Sequence, residues 1–243
     1  MYAAVVTRPD IAFATSRLSR FNINPDDQHH RAADRVIHYL VATKHLALQL
    51  GGGDAYEVAS DASFADNSID RKSSQGYAMK LFGGTIGWQA SKQATVTTST
   101  TEAELLALSH AVKEAMFTAY LLQELGIKLA KETKPIPIHC DNLQTLKLIT
   151  KDVNALHTRL RHVDIHNHWL RQEYHDGRIS PVHVPTKEMV ADGLTKALIG
   201  DQFHAFVARL GLVNVEDLIE ARRQRDLTRD IERWEKLLAA DTD

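Results

Sequence analysis

Cysteine is nearly absent: Cys140 is the single one in 243 residues. That excludes an intrachain disulfide framework and a cysteine-rich zinc site, and it suits a reducing compartment. Lying in the apolar run PIPIHCD, it reads as a small buried strand residue. A charge excess of one sign is also lacking, since 29 Lys and Arg face 31 Asp and Glu for a net charge of −2. No global positive field announces a nucleic-acid partner, so any such binding has to use local patches. No apolar run approaches the ~20 residues that span a bilayer. The opening stretch Met1 to Phe21 is interrupted by Arg8, Asp10, Arg17 and Arg20. The expectation is a chain neither secreted nor embedded in a membrane.

What is there is the composition of a soluble globular protein, 44% hydrophobic and 25% charged, of a length that allows one large domain or one ordinary domain with appendages. TRPDIAFATSRLSRF (Thr7 to Phe21) has helical spacing after a Pro-Asp start, and a second helix fits Asp27 to Thr43. Both end at Gly51-Gly52-Gly53, a flexible break read as a boundary. YEVASDAS, QGYAMKLF and TIGWQA then read as three antiparallel strands, with Gly83-Gly84 suited to a hairpin turn. Thr100 to Leu125 is amphipathic and helical, through Leu105, Leu108, Val112 and Met116. PIPIHCD is a strand running into a helix from Asn142 to Thr150. Thr158 to Tyr174 is a further helix, ISPVHVP (Ile179 to Pro185) a last strand, and KEMVADGLTKAL (Lys187 to Leu198) a last helix that packs on the sheet through Met189, Val190 and Leu194. The order β-β-β-α-β-α-α-β-α implies an α/β fold, a meander feeding a mixed sheet with helices on both faces. Beyond Asp201 the chain is highly charged, with a thin stripe of Leu227, Ile231, Trp234 and Leu238 that reads as a packing face.

Four acids lie where this order predicts convergence: Asp61 on the first strand, Glu104 near the start of the long helix, Asp141 at the end of the fourth strand and Asp192 on the last helix. Any one of them alone also fits a strand end or helix start placed for solubility or for the helix dipole. Together they would repel one another and raise each other's pKa unless cations neutralise them. Hard oxygen ligands without a Cys or ordered His set favour Mg²⁺ or Mn²⁺ over zinc, and a pair of such ions suits phosphodiester cleavage.

The motifs SDASFAD, DRKSSQGYAMKLFGGTIGWQASKQ, STTEAELLAL, HCDN, HTRLRHVDIHNHWLRQE and HVPTKEMVADGLTKAL, in this order, resemble the ribonuclease H domain of copia-type LTR retrotransposon Pol polyproteins. The preceding TRPDIAFATSRLSRFNINPDDQHHRAADRVIHYLVATKHLAL resembles the end of the reverse-transcriptase region, the connection before ribonuclease H. The resemblance implies a ribonuclease H-like fold with a mixed five-stranded sheet and helical appendages at both ends. It divides the chain into a connection segment 1–53, a ribonuclease H domain 54–199 and a charged helical extension 200–243. It implies an endoribonuclease that cuts the RNA strand of RNA/DNA hybrids with two Mg²⁺ ions, Mn²⁺ substituting, held by Asp61, Glu104, Asp141 and Asp192. Glu102 is the rival to Glu104. The implied partners are the hybrid and the polymerase part of the same polyprotein, with no membrane, in a cytoplasmic particle or the nucleus.

From the same resemblance, substrate contacts are expected from Arg71, Lys72, Ser73 and Gln75, from Asn142, and from His157, Arg159, Arg161, His162 and Arg171 on a basic helix. His183 is the one candidate for an auxiliary histidine, although the strand pattern places it on ISPVHVP. Trp88 and Trp169 read as core residues rather than stacking platforms. The chain carries no Tyr-x-Asp-Asp polymerase turn, so a fragment or truncated gene is expected. Two rival readings are a catalytically weak or inactive hybrid-binding or assembly fragment and a DDE-type transposase or integrase. The four acids weigh against the first, and the early glutamate-bearing helix and the connection segment weigh against the second.

Overall fold

The computed structural model describes residues 1–127, 135–151 and 161–240, and for 161, 162, 230 and 232–240 it describes the backbone. The chain opens with α1 (Tyr2–Val6), a 3₁₀ turn at Pro9–Ile11, α2 (Ala12–Ser19) and α3 (Asp27–Ala42). Proline fixes φ and lacks an N–H, so the expected helix from Thr7 begins with the short turn at Pro9. Asp26 caps α3 by accepting from the Gln28 and His29 backbone N–H groups, and His29 reaches back to the Asp26 N–H. β1 (Leu46–Leu48) follows, then β2 (Tyr56–Ser63), β3 (Ser74–Leu81) and β4 (Gly84–Lys92). Both Phe82 and Gly83 have positive φ, the geometry of a two-residue hairpin turn that matches strand twist.

The 25-residue α4 (Thr100–Glu124) leads to β5 (Ile136–Cys140), α5 (Leu143–Thr150), α6 (Arg161–His175) and β6 (Ile179–His183). Helix α4 is long and apolar enough to cross a membrane by length and composition. Its apolar residues Leu105, Leu108, Ala111, Val112 and Ala115 instead fill the core under the sheet. The chain closes with 3₁₀ turns at Thr186–Glu188 and Val190–Leu194, then α7 (Gly200–Arg209), β7 (Leu212–Asn214) and α8 (Glu216–Ala240).

Five strands form one mixed sheet in the order β4-β3-β2-β5-β6. β2 to β4 are antiparallel neighbours, whereas β5 pairs parallel to β2 and β6 parallel to β5. This is the mixed five-stranded sheet, three antiparallel strands first, expected from the sequence. One face buries Tyr56, Val58 and Ile138 against α4 and, with Ile149, Val163 and Leu170, against α5 and α6. The opposite face carries a second core of Ala78, Leu194, Phe206, Leu210 and Leu212, which also takes in Ala12, Leu46, Leu48 and Trp88. Trp88 donates its indole N–H to the Ala4 carbonyl at 2.7 Å, and Trp169 packs on the first core, as expected of core residues.

Two features differ from the sequence expectation. The segment Lys187 to Leu198 is not one α-helix but the two short 3₁₀ turns, because Met189 between them is extended. Gly193 also lies so close to Phe206 that a Cβ there would meet the ring at 2.6 Å. Its apolar residues still pack on the sheet, Met189 near Ala59 and Leu194 in the second core. β1 and β7 were not anticipated and pair antiparallel, Leu46 opposite Asn214 and Leu48 opposite Leu212. Residues from both ends of the chain thus share one core with the sheet.

Candidate active site

The parallel register of β2 and β5 brings two acids to one level. Val58 pairs with Ile138 and Ala59 with His139, so two residues further on Asp61 and Asp141 leave the same sheet end side by side. Glu104 approaches from the first turns of α4, where Ser99 caps the helix by accepting from the Glu102 N–H at 3.2 Å. The Glu102 carboxylate accepts from the Thr98 N–H and hydroxyl, each at 2.7 Å, so it serves the cap. Glu104 instead accepts from the Ala62 N–H and faces Asp61 and Asp141. Asp192 arrives on the second 3₁₀ turn, which fits against the sheet because Gly76, the partner of Asp61, leaves room: a Cβ there would stand 2.7 Å from the Leu194 Cβ. The four predicted acids therefore converge.

Burial and mutual repulsion dominate the electrostatics. Asp61 is 1% exposed and Glu104 6%. Burial pushes Asp61 up to about 6, against the pull of Lys196 and the Thr195 hydroxyl. Burial first, then the Asp61 and Asp141 carboxylates, push Glu104 up to about 9. Asp61 Oδ1 and Glu104 Oε2 are buried and lack a hydrogen-bond partner among the described residues. An acceptor left this way costs about 1–3 kcal/mol unless something meets it. A ligand atom each from Glu104, Cys140 and Asp141 lies within 4.8 Å of the others. Burial raises the Cys140 thiol, which keeps it protonated and a poor ligand. The usable donors are hard carboxylate oxygens, the set that fits Mg²⁺ or Mn²⁺.

Three residues at this site were not anticipated. Thr195 donates its hydroxyl to Asp61 Oδ2, and Thr186 donates to Asp141 Oδ2 at 2.7 Å. The Lys196 ammonium contacts Asp192 Oδ1 and lies 3.5 Å from Asp61 Oδ2. Burial would lower the Lys196 pKa, but Asp61 and Asp192 raise it. The i,i+4 spacing of Asp192 and Lys196 was the available signal.

Of the expected substrate contacts, Arg71 is exposed and Lys72 and Gln75 are half-buried, on the loop and strand start beyond Asp61. Ser73 is fully buried. Its hydroxyl accepts from the Ala65 N–H at 3.0 Å and bonds Thr97 at 3.2 Å, so it holds the loop from within. Asn142 caps α5, its side-chain oxygen accepting from the Gln144 and Thr145 N–H groups. His183 ends β6 opposite Cys140 and is exposed. Arg171 on α6 donates to the Leu148 carbonyl at 3.5 Å. His157 and Arg159 lie outside the described residues, as do the side chains of Arg161 and His162.

No family model matches the chain. It is 36% identical over 211 residues to the retrovirus-related Pol polyprotein from transposon RE1 of Arabidopsis thaliana, covering 86% of this chain and 14% of that protein. It is 44% identical over 119 residues to the secreted RxLR effector protein 161 of Plasmopara viticola, covering 48% of this chain and 84% of that one. The crystal structure of LC11-RNase H1 in complex with RNA/DNA hybrid superposes loosely, with a TM-score of 0.41 and 15% identity over 57% of this chain and 92% of that one. Strand order and sequence relatives, rather than that superposition, support the assignment. Close homologues of the chain are thus retrovirus-related Pol polyproteins from copia-type transposons, and the chain spans about 14% of the length of the RE1 polyprotein.

Proposed function

We propose that the chain is an endoribonuclease that hydrolyses the RNA strand of RNA/DNA hybrids during retrotransposon reverse transcription. The observation that carries this reading is the pair of buried carboxylate oxygens on Asp61 and Glu104, unpartnered among the described residues, at the sheet end where Asp141 and Asp192 also arrive. Asp61, Glu104, Asp141 and Asp192 would hold two Mg²⁺ ions, with Mn²⁺ as a substitute. When bound, the ions supply activation of the attacking water and neutralisation of charge at the scissile phosphate.

The remaining work belongs to the protein's own groups. Thr195 fixes one Asp61 oxygen and leaves the other facing the cluster. Thr186 orients Asp141. Lys196 balances part of the negative charge and ties Asp192 to Asp61. Arg71 and Lys72 would hold backbone phosphates and Gln75 a sugar or phosphate, with Asn142 and the basic residues His157, Arg159, Arg161 and His162 completing the grip. Exposed His183 would assist proton transfer or product release. A hybrid gripped in this way is read by backbone shape and 2′-hydroxyls, so little base preference is expected. The products would carry 5′-phosphate and 3′-hydroxyl ends. Within the chain we assign 1–53 to the end of the reverse-transcriptase region, 54–199 to the nuclease and 200–243 to an extension.

The test is a gel assay of one labelled RNA offered alone, annealed to DNA or annealed to RNA, with Mg²⁺. Cutting confined to the hybrid is expected. Cutting of all three forms, or of none, would overturn the reading.

A further inference from the structure

The loop between β2 and β3, residues 64–73, leads away from Asp61 and carries Arg71 and Lys72. It is held from two sides. On the inner side Asp66 Oδ1 accepts from the Ser74 N–H at 2.7 Å and Asp66 Oδ2 from the Ser74 hydroxyl at 2.9 Å. On the outer side Asp70 accepts from the Lys72 N–H at 3.2 Å and from the Lys92 ammonium at 2.7 Å. Arg71, between them, adopts φ +55, a left-handed conformation that costs an L-residue roughly 1–2 kcal/mol. Such a conformation persists only where the surroundings fix it.

Part of that fixing comes from outside the segment assigned to the nuclease. Arg17 in α2 donates from Nη1 to Asp66 Oδ2 at 2.8 Å, and Arg20 at the end of α2 donates from Nη2 to the Ser74 hydroxyl at 3.1 Å. Ser74 is 1% exposed, so its hydroxyl relays between Arg20 and Asp66 away from water. Two guanidinium groups one helical turn apart repel each other. Burial first and then Arg17 lower the Arg20 pKa, while Asp66 and Asp70 draw the other way.

We propose that Arg17 and Arg20 are positioning residues for hybrid binding: α2 holds the 64–73 loop in the shape that presents Arg71 and Lys72 to the nucleic-acid backbone. This rests on the ribonuclease H reading and deepens it. The segment resembling the end of the reverse transcriptase would then set how tightly the nuclease grips its substrate, without touching the substrate itself.

The test uses the full chain and its R17A/R20A and R17K variants, with three readouts. The first is anisotropy of a fluorescein-labelled RNA/DNA hybrid in Ca²⁺, the second is KM and kcat in Mg²⁺, and the third is hydrogen exchange at the loop amides. For R17A/R20A the hybrid Kd and KM should rise on the order of tenfold, as for other supporting partners of a site. kcat should fall less than about twofold, because removing binding shared by ground and transition states moves KM alone. Exchange at the Ser74 amide should quicken while that of Leu108, in the core, stays unchanged as the control for folding. R17K, which keeps the charge but not the fork, should recover part of the affinity. Unchanged Kd and KM in R17A/R20A, or a loss confined to kcat, would overturn the proposal. If the wild-type chain binds hybrid but does not cut it, the nuclease reading fails while the binding comparison still decides the role of α2. If it does not bind hybrid, both fail.

Discussion

Glu104 lies in the first turns of α4, buried and facing two other carboxylates, and its position carries a thermodynamic consequence. Its carboxyl is raised from 4.5 to about 9, so without metal the folded chain keeps a proton that the unfolded chain releases. The stabilisation is complete below about pH 4.5 and is lost as pH rises through about 9. Asp61 adds a loss of the same sign from pH 3.8 to about 6. The melting temperature in EDTA should therefore drop between pH 5 and pH 9 through the Glu104 contribution, and Glu104→Gln should flatten that slope. A wild-type slope equal to that of the variant would contradict the assignment. Lys196 acts in the opposite sense, as the cation within the cluster. Its side chain is 37% exposed, so after solvent screening Lys196→Met should destabilise the metal-free chain by about 1 kcal/mol, and saturating Mg²⁺ should narrow the difference in melting temperature.

The acids were legible in the sequence because strand and helix order places them, whereas their supports were not. Thr186 and Thr195 are ordinary loop residues until the fold turns their hydroxyls onto Asp141 and Asp61. Ser73 shows the reverse error: a serine in a basic loop looks available to substrate, but its hydroxyl is used within the loop.

At the scale of elements, the site depends on how closely the 3₁₀ turn carrying Asp192 approaches the sheet. Gly76→Ala would place a methyl 2.7 Å from the Leu194 Cβ and 3.0 Å from the Gln89 carbonyl. The backbone and a packed side chain have to yield, which costs about 1–3 kcal/mol and moves Asp192 away from Asp61. Chemical denaturation should show the loss, and cleavage should fall further than stability alone explains. Normal cleavage with normal stability would mean that the turn is not held there. Ser99→Ala should cost about 1 kcal/mol through loss of the α4 cap, measured in the same way. The five strands of the main sheet and α4 were readable from alternation and helical spacing. The last expected helix does not form as one: Met189, Val190 and Leu194 sit at helical spacing, while the extended Met189 and the Gly193 contact with Phe206 depend on tertiary packing.

At the scale of the whole molecule, segments from before and after the main sheet, α2 and β1 on one side and α7 and β7 on the other, share a core on one of its faces. β1 and β7 have three residues each, too few to show a period, and their pairing links positions near opposite ends of the sequence. That is why Gly51-Gly52-Gly53 reads as a boundary while Leu46 and Leu48 on one side share a core with Leu194 and Phe206 on the other. Net charge near zero sets the electrostatics at this scale. With −2 overall and phosphate contacts limited to local patches, hybrid affinity should fall with salt along a shallow slope. A steep slope in an anisotropy titration would reveal a larger basic surface.

The most direct test of the account is cleavage of a labelled RNA strand in an RNA/DNA hybrid, with Mg²⁺ and with Mn²⁺, by the chain and by its Asp61→Asn and Glu104→Gln variants. Cutting by the wild type with either ion is expected, with a loss of about 100-fold or more in each variant, as befits direct ligands rather than their supports. Equal cutting by wild type and variants, or none by the wild type with either ion, would contradict it.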